Sequence, residues 1–206
     1  MAQVALYGAQ PPAGSAFIRF ANADGAPVSV GSDFMPAQNL GIGPTQRVSA
    51  YAVVGRVAGR SLTVDAREGG HAVHTTLHVK PGGYLTIILQ SAPGAALTAT
   101  PVTDEADFNE ARARLAFYNA TPSCPAGSLA LEPKGINVFA DVGAGATKAR
   151  SVNPVKAQLR AACAGQTADL SVDGMEVGSS YSIWLMLPDG RPIAFMTRDT
   201  TLPYKP

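Results

Sequence analysis

Three histidines, His71, His74 and His78, fall within eight residues, and imidazoles at that spacing could hold a metal ion if a further ligand converged on them. Strand alternation would put His74 and His78 on one face and His71 on the other, so the expectation is polar residues on a solvated edge strand, with no metal. A second group is cationic. Lys148, Arg150, Lys156 and Arg160 lie within thirteen residues that contain no acid. Lys156 and Arg160 are expected on the same face of one strand, where they could hold the carboxylates of a polyuronate through charge-assisted bonds, or simply form a solvated sheet face. The third group is Cys124 and Cys163, the only two cysteines. They can pair within the second half of the chain or remain as two buried thiols; they lack the clustered Cys-x2-Cys spacing of a zinc site.

The motifs of catalysis are missing. An SGNH-type esterase or acetyltransferase needs a Gly-Asp-Ser nucleophile segment and a late Asp-x-x-His, and neither occurs. There is no Gly-x-Ser-x-Gly elbow, and Gly143-Ala144-Gly145 is not followed by the Lys-Ser or Lys-Thr of a phosphate-binding loop. No catalytic residue and no cofactor is therefore expected. Sixteen Lys and Arg against fifteen Asp and Glu leave a net charge of +1, too weak a field to draw nucleic acid. The longest apolar runs, Tyr84 to Leu89 and Ile183 to Leu187, are strand-sized and far short of a membrane span. The first residues, Met1-Ala2-Gln3-Val4, carry neither a basic nor an apolar leader region, which fits a cytoplasmic protein or a mature exported form with Met1 added.

The elements that must position these groups follow from a repeat. Ile18-Arg19-Phe20-Ala21-Asn22-Ala23 aligns with Leu115-Ala116-Phe117-Tyr118-Asn119-Ala120 at an offset of 97 residues. At the same offset Tyr84 aligns with Tyr181, so Asn22 and Tyr84 are separated by 62 positions, as are Asn119 and Tyr181. With 21 Gly and 16 Pro punctuating the chain, the pattern reads as short strands divided by turns. In the first half strands are expected at Ala16–Ala21, Val28–Val30, Arg47–Val54, Ser61–Asp65, Thr75–Val79 and Tyr84–Gln90. In the second they are expected at Ala113–Tyr118, Leu129–Leu131, Ile136–Val142, Val155–Arg160, Ala168–Val172, Tyr181–Leu187 and Ile193–Met196. The fold class is all-β: two tandem β-sandwiches, immunoglobulin-like or jelly-roll-like, over residues 1–100 and 112–206. Between them the acidic stretch 101–111 reads as a linker, in which Thr103 or Asp104 could cap a short helical turn. Tyr84, Tyr181 and Trp184 are expected to pack in the cores, although a Tyr at the start of a strand could also stack on a sugar ring.

Leu6-Tyr7-Gly8, then Pro12-Ala13-Gly14-Ser15-Ala16-Phe17-Ile18-Arg19 and Asn22-Ala23, resemble the start of mature AlgF proteins, the accessory proteins of alginate O-acetylation. Asn153-Pro154-Val155-Lys156 is similar to a segment of that family's second domain. The resemblance implies an exported periplasmic adaptor of two β-sandwich domains. Its partners would be an SGNH-type acetyltransferase and a membrane acyltransferase, and the exopolysaccharide they modify is alginate or, by relation to similar accessory proteins, bacterial cellulose. It carries no catalytic residue to transfer. Export would favour the Cys124–Cys163 disulfide, although a cysteine pair is not a feature of the alginate members. A carbohydrate-binding module that holds the polymer is the alternative function.

Overall fold

The computed structural model describes residues 11–91, 96–104 and 110–204, which form two tandem β-sandwiches of one topology. The first contains β1 (Ala16–Asn22), β2 (Val28–Ser32), β3 (Gln38–Leu40), β4 (Ala52–Val54), β5 (Leu62–Glu68), β6 (His71–Leu77), β7 (Tyr84–Ser91) and β8 (Leu97–Asp104). The second contains β9 (Ala113–Asn119), β10 (Gly127–Glu132), β11 (Ile136–Val142), β12 (Ala146–Val152), β13 (Ala157–Cys163), β14 (Gln166–Val172), β15 (Ser180–Met186) and β16 (Ile193–Arg198). Sheets β4-β1-β7-β8 and β3-β2-β5-β6 make the first sandwich. Sheets β12-β9-β15-β16 and β11-β10-β13-β14 make the second, so raising every strand number by eight converts one into the other.

The central strands explain how the sandwiches join. In β1, Ile18 and Phe20 point into the first core with Val64, Ile87 and Leu89, while Arg19 and Ala21 point the other way. A sheet that covers a single core has a wet outer face, but both faces of β1, β7, β9 and β15 are buried. A third apolar layer covers them. Ala21, Ile88 and Val102 of the first sandwich pack on Ala116, Tyr118, Trp184, Met186 and Phe195 of the second. Each fully buried side chain of this size contributes about 1.5–3 kcal/mol, which favours two sandwiches fixed back to back over two beads on a string. The chain end adds a strap: Tyr51, just before β4, pairs with Thr201 beyond β16, and Leu202 N–H donates to the Tyr51 carbonyl at 2.8 Å.

Several boundaries differ from the sequence expectation. Residues 101–104 belong to β8, which pairs with β7 from Ser91↔Leu97 to Tyr84↔Asp104, so the linker does not begin at Pro101. Pro101 is tolerated because β8 is an edge strand of its sheet. Asp104 is buried at the end of β8, and residues 105–109 of the expected linker, where the capped turn was expected, lie outside the described residues. The expected strand Arg47–Val54 is reduced to Ala52–Val54, and β3, β8 and β12 were not foreseen. All three are edge strands, where one-sided pairing leaves the weakest apolar pattern.

The repeat also needs one correction. Phe17 sits beside Tyr84 in the parallel pair β1·β7, and Arg114, 97 positions on, sits beside Ser180 in β9·β15. The offset is therefore 97 at β1 and β9 but 96 at β7 and β15. Tyr84 corresponds to Ser180 and Tyr181 to Leu85, so the two tyrosines are neighbours in the alignment and not equivalents.

Candidate functional site

The polar centre of the molecule lies inside the junction. Arg19 is 1% exposed, in the middle of an otherwise apolar strand. Its Nε donates to Thr86 Oγ1 at 2.9 Å, Nη1 to Asp199 Oδ1 at 2.6 Å, and Nη2 to both Tyr118 Oη and Ser182 Oγ at 2.9 Å. The guanidinium carbon stands 4.4 Å from the Tyr51 ring centre and 5.0 Å from that of Trp184, so aromatic faces cover the cation where no hydrogen bond reaches it. Asp104 closes the network. It accepts from Tyr51 Oη at 2.7 Å, from Thr86 Oγ1 at 3.0 Å and from Tyr118 Oη.

The arrangement repeats across the junction. Asp104 pairs with Tyr84, and Asp199 N–H donates to the carbonyl of Ser180, the equivalent of Tyr84, so the two aspartates occupy matching positions. Thr86 and Ser182 match as well, each donating its hydroxyl to the aspartate of its own sandwich. The position that matches Arg19 is Ala116. One arginine therefore fills a space framed by two hydroxyl–carboxylate pairs, and the small Ala116 leaves room for it.

The electrostatics follow from this enclosure. Burial opposes the charged guanidinium, but Tyr118, Asp199, Tyr51 and Asp104 outweigh it and hold Arg19 above the ordinary arginine range. Burial likewise pushes the Tyr118 hydroxyl up to about 12 against the pull of Arg19, and raises Tyr51 further still. A buried cation with four hydrogen bonds and two carboxylates is a structural weld: its polar groups are satisfied, and breaking one leaves its partner buried and unpaired.

The residues singled out in the sequence fall in several places. Asn22 and Asn119 end β1 and β9 and tie the same loops in each sandwich. Asn22 Nδ2 donates to the carbonyls of Ala26 and Gly41, and Asn119 Nδ2 to those of Cys124 and Val142. Tyr84 stacks on Phe17 at 4.4 Å and meets Tyr51 edge-on, while Tyr181 is core and its hydroxyl accepts from Glu176 N–H. Trp184 is fully buried against Tyr118. Cys124 and Cys163 are joined as a disulfide inside the second core.

The cation cluster does not form the expected stripe. Lys148 and Arg150 lie on β12, where they donate to the Ala140 and Val138 carbonyls and cover the open edge of β11. Lys156 precedes β13 rather than sharing a strand with Arg160, because pairing with β14 begins only at Ala157. It bridges to Asp173, and Arg160 bridges to Glu132 and Asp169. The missing acids come from other strands and from the turn after β14, which the linear sequence does not show.

His74, on the exposed strand β6, places Nδ1 2.9 Å from Asp65. Among the described residues no group of three metal-binding side chains converges.

Sequence reasoning passed over Arg19, Asp104 and Asp199. The available signal was a lone arginine in Phe-Ile-Arg-Phe-Ala, a sequence apolar on both strand faces, which means that the arginine must be buried and paired.

No family model and no curated protein matches the chain. A solved structure described as a "putative cell adhesion protein" from Bacteroides ovatus ATCC 8483 is similar over 94% of this chain and 100% of that one, at 8% sequence identity and a TM-score of 0.31. A likeness of that degree speaks to neither ligand nor partner.

Proposed function

We propose that the chain is a non-catalytic periplasmic adaptor in the O-acetylation of an exported polysaccharide, docking an SGNH-type acetyltransferase that works with a membrane acyltransferase. The observation that carries this reading is where the AlgF-like residues sit. Ile18 is first-core, Arg19 is the centre of the junction, Asn22 ties two loops and Ala23 lies in the apolar layer between the sandwiches. Leu6-Tyr7-Gly8 lies outside the described residues; among those described, the resemblance falls on side chains that build one two-sandwich body. Such a body suits an adaptor, since partners held on separate sandwiches would keep a fixed separation.

The test is reconstitution with an SGNH-type acetyltransferase from the same source. The adaptor reading expects co-purification of the two proteins and no acetyl transfer from a model donor by this chain alone. Transfer by the isolated chain that is abolished by one substitution would overturn it, as would failure of the proteins to associate.

A further inference from the structure

We propose that the outer face of the first sandwich is a saccharide-binding trough running along β2, shaped for a chain that carries both hydroxyls and carboxylates. The choice of a uronate-bearing polymer rests on the adaptor reading above; the trough itself rests on geometry. In β2, Val28 and Val30 point into the core, which turns Ser29 and Gly31 outward. Register then sets the walls. Ser29 lies between Asn39 of β3 and Arg67 of β5, and Gly31 lies beside Asp65, which faces His74 of β6. Two small residues form the floor and longer polar ones the sides; the resulting cavity of about 500 Å³ has Val30 and Ala37 in its lining beside the polar Gln38, Asn39, Asp65 and Arg67. That volume lies in the range of small-ligand sites.

The groups in the trough indicate the ligand. Asp65 Oδ1 meets His74 Nδ1 at 2.9 Å, and Oδ2 makes no hydrogen bond among the described residues. The Arg67 guanidinium forms no ion pair or hydrogen bond among the described residues, in contrast to Arg60 and Arg160, which are matched by acids. An amide such as Asn39 both donates and accepts, as a sugar hydroxyl requires, and a free guanidinium binds a carboxylate through two parallel bonds. A hexuronate presents both groups on each ring.

Gly31 supplies a selective test. A Cβ built there would meet only the Asp65 carbonyl, at 4.0 Å, and Gly31 is not among the glycines with positive φ. A larger side chain at this position is therefore accepted by the strand and fills the trough.

The experiment is calorimetric titration of the full chain with a hexamannuronate and, separately, with cellohexaose. The expected result is binding of the hexamannuronate that weakens as salt rises and falls by about tenfold or more in Arg67→Ala and in Gly31→Val, with unfolding midpoints unchanged. Lys148→Ala, on the other sandwich, should leave the affinity as it is. Absence of hexamannuronate binding, equal affinity in both trough variants, or cellohexaose bound as tightly would overturn the proposal. Co-purification with the acetyltransferase separates the two readings. If it persists while saccharide binding is absent, the trough alone fails; if saccharide binding persists without co-purification, the adaptor reading alone fails.

Discussion

Arg19, on β1 in the sheet β4-β1-β7-β8, donates to Asp199 at 2.6 Å across 180 residues of chain, and both side chains are almost fully withdrawn from water. The pair makes the fold of each sandwich depend on the other. Replacing Arg19 by Met removes the cation that bridges to Asp199 and hydrogen-bonds Thr86 and Tyr118, the donors to Asp104, and should destabilise the protein by about 3–5 kcal/mol. Arg19→Lys keeps the charge but not the planar fork of four hydrogen bonds, and should fall in between. Chemical denaturation checks both, and in Arg19→Met the single transition should separate into two as the sandwiches uncouple.

Alkaline pH should loosen the same junction. The Tyr118 hydroxyl is pushed by burial from 10.0 up to about 12. Below pH 10 the folded and unfolded chains both hold this proton, and its contribution to stability is complete. Between pH 10 and pH 12 only the unfolded chain releases it, so stability should fall as pH rises through that window. Denaturation midpoints at pH 8, 10 and 11 measure the slope, and Tyr118→Phe should make it shallower.

The matched asparagines should not cost the same. Asn22 donates to the carbonyls of Ala26, Gly41 and, at 3.4 Å, Leu40, and Asn119 to those of Cys124 and Val142, but Asn22 Oδ1 also accepts from Asp24 N–H, whereas Asn119 Oδ1 has no partner among the described residues. Alanine at either position should cost about 1–3 kcal/mol, with the larger loss at Asn22. Equal losses would show that the additional contacts of Asn22 contribute nothing.

Reduction of Cys124–Cys163 should weaken the second sandwich. The bond closes a loop across a sequence separation of 39. On the chain-entropy account that constraint is worth about 4 kcal/mol. Cys124→Ala/Cys163→Ala should lower the unfolding midpoint, and amide exchange should open β13 and β14 before β5 and β6.

The sequence made the architecture legible where local pattern and tertiary demand agree. Strand β11, Ile136–Val142, was foreseen at its full length, and the Asn22–Asn119 match located the equivalent strand ends. It misled where partners come from afar. Asp104 reads as part of an acidic linker because nothing local reveals the Tyr51, Thr86 and Tyr118 hydroxyls that satisfy it. Lys156 and Arg160 read as free cations because Asp173, Glu132 and Asp169 reach them from other strands or loops. The trough along β2 was invisible for a related reason. Ser29, Gly31, Asp65 and Arg67 become neighbours only through the register of β2 and β5.

The proposed role in acetylating an exported polymer is tested by the O-acetyl content of that polymer in a strain lacking the gene and in one complemented with it. A non-catalytic adaptor should leave the deletion strain exporting polymer in normal amount but without its O-acetyl groups, and complementation should restore them. Unchanged acetyl content in the deletion strain would contradict it.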